Sequence, residues 1–320
     1  MTSKPLVSAI VANWNGAKDL EVCLPSLLTQ SFRRMEIIVA DNASTDNSAE
    51  IAGRFGVTWL GLDRNKGLAG ALNEGAKAAR GEYVLFLNND MRFHEKFVES
   101  MVVEVVRDQS IFSVDALQYD WEGRKTVHLA TSLTRTRVGE IDEELLPGLY
   151  VRQLTQDNPT TALMSSAANM LARKSMFQEL GGFDERLPIG YEDLELCWRA
   201  WVHGWRTVFA PGAVCWHRVG WSARSSEGSG IRFRGTIAGK ILMASKHLPR
   251  RFIIATWGMS LAGLARDLML MRWQRVRDRV EVLCKNACFF FAVLRERREI
   301  YQAQSTTPRE QLDRLLQIQG

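Results

Sequence analysis

The fold is decided by the stretch YVLFLNND at residues 83–90. Its first part, Tyr83 to Leu87, is a continuous apolar run of strand length, and three polar residues follow it at once. Such a run predicts a buried strand. In α/β sheets ligands bind beyond the carboxyl ends of the strands, so Asn88, Asn89 and Asp90 are candidate site residues.

Three similar runs precede this one, and a segment of helical pattern follows each of them. The predicted strands are Leu6 to Ala12, Met35 to Ala40 and Val57 to Leu62, and the predicted helices are Asp19 to Gln30, Ser48 to Phe55 and Leu68 to Arg80. This alternation predicts an α/β fold with a Rossmann-like, mostly parallel central sheet and flanking helices. Polar residues follow these strands as well, namely Asn13, Asp41 and Asn65.

The pattern continues less regularly downstream. Residues 111–160 show little periodicity and are predicted to form a variable edge region. Beyond them we expect strands at Ser165 to Ala172, Arg206 to Ala210 and Val214 to His217, and helices at Lys174 to Leu180 and Glu192 to His203.

The charge is distributed unevenly along the 320 residues. The whole chain has a formal net charge of +5, but residues 231–301 contain 15 Lys and Arg against 5 Asp and Glu. The rest of the chain is therefore net acidic. A local basic excess indicates contact with an anionic surface, which nucleic acid or anionic lipid could supply. The ordinary apolar fraction excludes a disordered or fibrous protein.

The basic residues of the last third alternate with apolar ones. From Arg250 and Arg251 the chain runs through an uncharged stretch that ends before Arg266, too short to span a bilayer as a helix. The pattern fits either a helix lying in a membrane interface or an amphipathic bundle packed on the first domain. We divide the chain into a nucleotide-binding domain, 1–225, and a basic amphipathic helical region, 226–320, whose last residues, from Thr306, form a tail with a short helix.

The cysteines and the N-terminus bear on location. Five scattered cysteines lack the paired spacing of a zinc or redox motif and are predicted to be reduced core thiols. The first residues lead directly into a strand-like segment without the features of a signal peptide. We therefore expect a cytoplasmic protein, with a peripheral position on the inner face of the cell membrane as an option.

Acidic residues at the strand ends suit a nucleotide and a cation. Asp41 could accept a hydrogen bond from the imide of a uridine-like or thymidine-like ring. Asp90 could hold Mg²⁺ or Mn²⁺, which bind one or two carboxylates together with substrate phosphates. Each has a structural alternative, because Asn and Asp favour turns and because Ser44 or Asp46 could cap the next helix.

A second acidic pair lies at the start of a predicted helix. Asp193 could take a proton from an attacking hydroxyl, with Glu192 shaping the site, or the two could only favour the helix dipole. Glu195 is expected to be a solvated helix residue. His217 follows a short apolar strand, and a neutral imidazole is a common metal ligand, although a lone histidine is more often structural.

Taken in order, these segments resemble the family 2 glycosyltransferases, in particular the bacterial rhamnosyltransferase-like branch. The resemblance covers about residues 6–220. The matching segments are 7–16, 41–48, 65–67, 71–75, 88–90, 181–185, 192–193 followed by Leu196-Cys197-Trp198-Arg199, and His217.

The resemblance implies a GT-A fold and an inverting transfer of a sugar from a nucleoside-diphosphate donor. It implies that Asp41 binds the nucleobase, Asp90 holds the metal on the diphosphate, Asp193 is the base and His217 completes the metal site. Asn88 stands where many relatives have the first Asp of a D-x-D motif, which removes one carboxylate. The implied donor is a dTDP or UDP sugar, with L-rhamnose as the leading choice, and the implied acceptor is a glycan or a lipid-linked saccharide.

Two other classes of function compete. A nucleotidyltransferase acting on sugar phosphates would need a Gly-rich, basic phosphate loop after the first strand, where this chain has Asn13-Trp14-Asn15-Gly16. A nucleic-acid-binding module would use the basic last third with Trp257 and Trp273 as stacking groups. That second reading leaves the acids at the strand ends unexplained, so no nucleic-acid partner is expected.

Overall fold

The structure is a computed structural model that describes residues 7–135, 148–155, 158–218 and 226–318. The predicted boundary at 225 falls beside residues 219–225, which lie outside these ranges. The strands are β1 (Val7–Asn13), β2 (Met35–Asp41), β3 (Thr58–Gly61), β4 (Tyr83–Asn88), β5 (Met91–Phe93), β6 (Ile111–Asp120), β7 (Thr126–His128), β8 (Ala130–Arg135), β9 (Leu149–Leu154), β10 (Thr160–Ala162), β11 (Asn169–Arg173) and β12 (Arg206–His217).

Helices flank this sheet and form the end of the chain. They are α1 (Ala17–Leu28), α2 (Ser48–Arg54), α3 (Gly67–Ala78), α4 (Phe97–Arg107), α5 (Lys174–Glu179), α6 (Glu192–Val202), α7 (Ser226–His247), α8 (Arg250–Met269), α9 (Trp273–Ala303) and α10 (Pro308–Leu315). The α/β class, the mostly parallel central sheet and the helical C-terminal region are thus confirmed.

The central sheet has the strand order β10-β12-β6-β11-β4-β1-β2-β3. Strands β1 to β4 are mutually parallel where they pair, and β12 is parallel to β6. Strand β11 lies between β4 and β6 and is antiparallel to both. The carboxyl ends of the parallel strands and the amino end of β11 therefore meet at one edge of the sheet, which we call the site edge.

Both faces of the sheet are covered, which explains the uninterrupted apolar runs. Along β1, Ala9 and Val11 belong to the core beneath α1, α2 and α4, whereas Ile10 and Ala12 belong to the core beneath α3, α5 and α6. A strand buried on both faces shows no alternation of polar and apolar residues. A continuous apolar run, rather than an alternation with a period of two residues, is therefore the pattern that predicts these strands.

Two predictions for the middle of the chain are wrong. Residues 111–120 are not an edge but the long strand β6, buried from Ile111 to Ala116, beside β11 and β12. Its Ser113 bonds the buried Ser165, and its Asp115 accepts from the backbone N of Ser166. These polar residues interrupt the apolar pattern of a core strand, which is why the strand was not predicted. The two strands predicted before and after Pro211 are one strand, β12, because the register shifts between Ala210 and Val214 and so accommodates the proline.

The C-terminal helices pack on the first domain. A hydrophobic cluster joins Leu194 and Trp198 of α6 to Met243 of α7 and Val293 of α9. The predicted tail also docks, because Leu312 and Leu315 of α10 are buried in the same cluster. Helix α10 begins with a capping box between Thr307 and Glu310, which satisfies its first amides.

Candidate active site

The first group of candidate residues at the site edge is built around Asp41. Asn13 and Asp41 are register partners at the ends of β1 and β2. Nδ2 of Asn13 donates to Oδ1 of Asp41 over 2.7 Å, and Ser44 donates to both carboxylate oxygens, from Oγ over 2.5 Å and from its backbone N over 2.8 Å. A carboxylate can accept about four hydrogen bonds, so this fixed group keeps capacity for one ligand donor.

Asn89 extends this network toward the centre of the sheet. Its Nδ2 donates to Oδ1 of Asn13 over 2.6 Å. The bond needs Gly16, because a Cβ there would lie 1.9 Å from Nδ2 of Asn89 and 2.6 Å from Oδ1 of Asn13. The Asn-rich turn after β1 is therefore a scaffold for Asp41.

A second group of candidate residues at the site edge pairs Asp90 with His217. Nε2 of His217 lies 3.1 Å from Oδ1 of Asp90, and both side chains are largely buried. Nδ1 of His217 lies 3.1 Å from Oε1 of Gln118, which can only accept, so Nδ1 is the donor of this bond. Nε2 is left facing a carboxylate oxygen, and an imidazole nitrogen beside a carboxylate is a pair of ligand types that suits a divalent cation. Among the described residues no third His, Cys, Asp or Glu joins them.

Arg218 bonds the backbone of Asp90 and pairs its guanidinium with Asp19, and the sequence analysis did not predict this residue. Its backbone N donates to the carbonyl oxygen of Asp90, its Nη1 lies 3.0 Å from Oδ1 of Asp19, and its guanidinium stacks over Trp121 at 4.1 Å. Burial, and then the charge of Asp90, raise the pKa of Asp19. The one sequence feature that could have indicated Arg218 as a site residue is its position directly after His217.

Asp193 lies in the first turn of α6, at the amino end of β11. Its Oδ2 accepts from the backbone N of Ala167 over 3.2 Å and its Oδ1 from that of Leu194 over 2.8 Å. Burial raises the pKa of Asp193. The neighbouring Glu192 folds back so that Oε2 accepts from the backbone N of Gly190 and Tyr191, and burial together with Asp193 raises its pKa to about 8.

A largely buried histidine–aspartate pair lies beside Asp193, and no local sequence pattern predicts it. Nε2 of His128 donates to Oδ2 of Asp115 over 2.7 Å, and Oδ1 of Asp115 accepts from the backbone N of Ser166. Two successive amides, of Ser166 and Ala167, therefore hold Asp115 and Asp193. Burial alone would lower the pKa of His128, but Asp115 outweighs it and raises that pKa.

The remaining candidates are less closely joined. Asn88 ends β4 at the site edge and is half-buried. Asn65 lies on an exposed turn, where its Oδ1 accepts from the backbone N of Gly67.

The prediction for Glu195 is wrong, because its side chain is fully buried and bonded to Arg199, Lys246 and His247. Helix α7 covers that face of α6, which periodicity could not reveal.

Two segments matched by resemblance prove to contact each other. Nδ2 of Asn73 donates to the carbonyl oxygen of Phe183, and Oδ1 of Asn73 accepts from the backbone N of Phe183, both over 2.9 Å. Gly182 has φ +79°, and a Cβ there would lie 2.6 Å from Oδ1 of Asn73. The segments around 73 and 183 are therefore structural, and they hold α3 against the loop that leads to α6.

The sequence model of glycosyl transferase family 2 matches residues 8–181, more than half of the chain. This match includes the ends of β1, β2 and β4 and the start of β11. The chain belongs to glycosyltransferase family 2. Asn13, Asp41, Asn88, Asn89 and Asp90 thus lie within a family 2 glycosyltransferase domain, while Asp193 and His217 lie beyond the matched residues.

Named relatives agree with this assignment. The chain is 24% identical over 217 residues to the poly-β-1,6-N-acetyl-D-glucosamine synthase of Staphylococcus aureus strain COL, covering 67% of this chain and 50% of that protein. The chain thus spans about half the length of the curated relatives it matches.

Solved structures show the same fold. A mannosyltransferase from Pyrobaculum calidifontis, in complex with GDP-Man and Mn²⁺, has a TM-score of 0.56 at 19% identity, covering 90% of this chain and 76% of that one. GalNAc-T7, with UDP, GalNAc and Mn²⁺, has a TM-score of 0.58 at 18% identity, covering 77% of this chain and 48% of that one.

The cysteines agree with the prediction of buried core thiols only in part. Cys23, Cys197 and Cys215 are buried free thiols, as predicted, but Cys284 and Cys288 are exposed on α9. Burial raises the pKa of Cys197 to about 12, so this thiol stays protonated.

Within the described ranges, no helix combines the length and apolar character needed to cross a membrane.

Proposed function

We propose that the chain transfers a sugar from a nucleoside-diphosphate donor to a hydroxyl of a glycan or lipid-linked saccharide, with inversion, in cell-surface polysaccharide assembly. The observation that carries the proposal is the alignment of Asp41, the Asp90–His217 pair and Asp193 along one edge of the sheet. Residues 1–225 would form the catalytic domain and 226–320 a helical region, on the inner face of the cell membrane.

The donor would occupy the ends of β1, β2 and β4. Asp41, fixed by Asn13 and Ser44, would accept from the imide of the base, as its spare hydrogen-bond capacity supports. Asn65 and Asn88 would complete the polar edge around the nucleotide sugar. Asn89 would act through Asn13, to which it is bonded.

The diphosphate would lie beside the Asp90–His217 pair. Mg²⁺ or Mn²⁺ bound there would neutralise charge on the leaving diphosphate, and two structural neighbours were solved with Mn²⁺. With only two protein ligands, the phosphates and water would supply the rest, as is usual for these cations. Arg218 adds a fixed positive charge on the same side.

Asp193 would take the proton of the acceptor hydroxyl as that oxygen attacks the anomeric carbon. Two backbone amides fix its carboxylate, and a raised pKa makes it a stronger base than an exposed aspartate. Glu192, bonded to its own turn, would shape this end of the site. The His128–Asp115 pair would set the charge around Asp193.

For the sugar, we propose L-rhamnose from a dTDP donor, supported by the order and spacing of the matched segments. The staphylococcal relative is instead named for a polymer of N-acetyl-D-glucosamine. Thymine and uracil both have an imide that Asp41 could accept from, so the site residues favour neither a dTDP nor a UDP donor.

The test is calorimetric titration of nucleoside diphosphates with and without Mn²⁺, against wild type, Asp90→Ala and the exposed control Asp63→Ala. Mn²⁺-dependent binding of one nucleotide, lost only in Asp90→Ala, supports the proposal and identifies the base. Turnover with dTDP-rhamnose and UDP-N-acetylglucosamine then follows, with the released phosphate compound identified. Release of pyrophosphate would identify a nucleotidyltransferase, and no binding of any nucleotide by folded protein would refute both.

A further inference from the structure

The outer face of α8 is apolar and exposed over its whole length. Ile254, Leu261 and Leu268 are spaced seven residues apart and so form one stripe along the helix. Their exposed fractions are 73%, 53% and 45%, although the opposite side of α8 packs on α7 and α9. A soluble helix normally shows polar residues on this side.

The turn between α8 and α9 continues this surface. Met269, Met271 and Trp273 are 76%, 73% and 66% exposed. Met271 has φ +52°, so the chain reverses tightly and presents these side chains at the tip of the helical hairpin. We call the stripe and this tip the α8 surface. It is larger than the scattered apolar residues of an ordinary protein surface.

The charge around the α8 surface has one sign. Between residues 250 and 280 six arginines are exposed, at 250, 251, 266, 272, 275 and 277. The two acids in this range, Asp267 and Asp278, are both buried and paired with Arg279 and Arg234. The exposed charge of this segment is therefore entirely positive.

We propose that the α8 surface binds the interface of an anionic bilayer, with the apolar stripe and the tip inserted among the lipids and the arginines at the head groups. Apolar side chains rimmed by arginines, with a tryptophan at the boundary, match the composition of interfacial helices. This inference deepens the proposed position of the helical region on the inner face of the cell membrane. Vesicle binding can be tested separately from sugar transfer, because no residue of the site edge takes part.

Two other occupants fit less well. A second copy of this chain would bring the same six arginines against each other, and like charges repel. Nucleic acid would need a series of accessible rings for stacking, but of Trp257 and Trp273 only Trp273 is exposed, because Trp257 packs edge-on against Phe290. The stripe itself is aliphatic. An anionic bilayer accommodates both the aliphatic stripe and the arginine rim.

The test is sedimentation of the full chain with vesicles of equal parts phosphatidylglycerol and phosphatidylcholine, and with vesicles of phosphatidylcholine alone. We expect binding to the anionic vesicles, weakened by added salt. Arg266→Gln with Arg277→Gln should weaken it roughly fivefold per arginine. Met269→Ser with Met271→Ser and Trp273→Ser should weaken it at least about tenfold, because less apolar surface enters the lipid.

Controls separate this surface from general effects. The first control, Val103→Ser with Val106→Ser, removes exposed apolar residues on α4. The second control, Arg64→Gln with Lys77→Gln, removes exposed positive charges outside the α8 surface. Both double variants should bind the anionic vesicles as wild type does. Circular dichroism checks the fold of each variant. Absence of wild-type binding to either vesicle refutes the proposal, as does unchanged binding by the triple variant. A wild-type dimer that the triple variant converts to monomer would identify a subunit interface instead.

Discussion

Nζ of Lys246 lies 2.7 Å from Oε1 of Glu195, and the side chains are 5% and 0% exposed. Lys246 comes from α7 and Glu195 from α6, the helix whose first turn carries Asp193. Although burial alone would raise the pKa of Glu195, Arg199 and Lys246 hold it well below its usual range. The C-terminal helices are therefore joined to the helix of the proposed base by buried charge as well as by apolar contact.

Lys246→Met should destabilise the protein by about 3 kcal/mol, because removing one member of a buried ion cluster leaves its carboxylates poorly compensated. Asp184, at 2.9 Å from the same Nζ, would lose a partner too. Denaturant unfolding measures the change. The control is Lys285→Met, whose exposed pair with Glu281 should contribute less than about 1 kcal/mol. Equal effects of the two substitutions would contradict a structural role for Lys246.

Gln118→Leu should weaken Mn²⁺-dependent nucleotide binding by about 10- to 100-fold, since Gln118 fixes the ring of His217 from outside the metal site. Gln118→Glu keeps an acceptor at the same place and should retain most of the affinity. Calorimetry with dTDP and UDP in Mn²⁺ measures both. If Gln118→Leu bound as wild type does, His217 would not be held for a cation in this way.

Asp193→Asn should lower kcat by about 10²- to 10⁴-fold, the range for loss of a general base. The amide of asparagine is similar in shape to the carboxylate. The residues proposed to bind the sugar donor lie at the ends of β1, β2 and β4, away from α6, so nucleotide affinity should stay unchanged. Initial rates at saturating donor, together with calorimetry, separate the two effects. A kcat within about tenfold of wild type would assign proton removal to another group.

Glu192→Gln should flatten the fall of stability with rising pH. The folded pKa of Glu192 is about 8, above the ordinary value of 4.5, so between these values the folded chain keeps a proton that the unfolded chain has lost. The free energy of unfolding then falls with pH, by up to about 1.4 kcal/mol per unit. Urea unfolding at acidic and at slightly alkaline pH should show the free energy of unfolding of the variant rising relative to that of wild type as pH rises. Parallel curves would contradict the buried proton.

Gly16→Ala should disrupt nucleotide binding, because its Cβ would displace the Asn89 side chain that holds Asn13. The control is Gly53→Ala in α2, where a Cβ meets nothing within 4 Å and the change should stabilise the helix by up to about 1 kcal/mol. Nucleotide titration and thermal unfolding of both variants check this. Unimpaired binding by Gly16→Ala would mean that the Asn89 bond does not position Asp41.

Much of the fold was readable because β1, β2 and β4 are buried on both faces and end in polar residues. The same rule brought Asn13, Asp41 and Asp90 to one edge of the sheet. It failed for β6, where polar residues interrupt the apolar run and one of them, Asp115, bonds His128 and Ser166. Such a pairing joins residues that are distant in the chain, and no local pattern encodes it.

The helical region was harder to read for a related reason. The sequence of α6 indicates which positions share a face, but not that α7 covers the face of Glu195. The burial of α10 likewise depends on a cluster with Trp198, far earlier in the chain. Local pattern therefore predicts elements and the ends of parallel strands, whereas contacts between distant helices emerge only in three dimensions.

The antiparallel strand β11 has a consequence for synthesis. It closes the gap between β4 and β6, so the ribosome must deliver residues up to Arg173 before the centre of the sheet can be completed. Until then a nascent chain carries two hydrophobic strands with open hydrogen-bonding edges, which are prone to pair with other chains. While the segment between β6 and β11 is translated, the edge that β4 presents to β11 is therefore open to misassembly, and the second edge of β6 stays open until β12 follows.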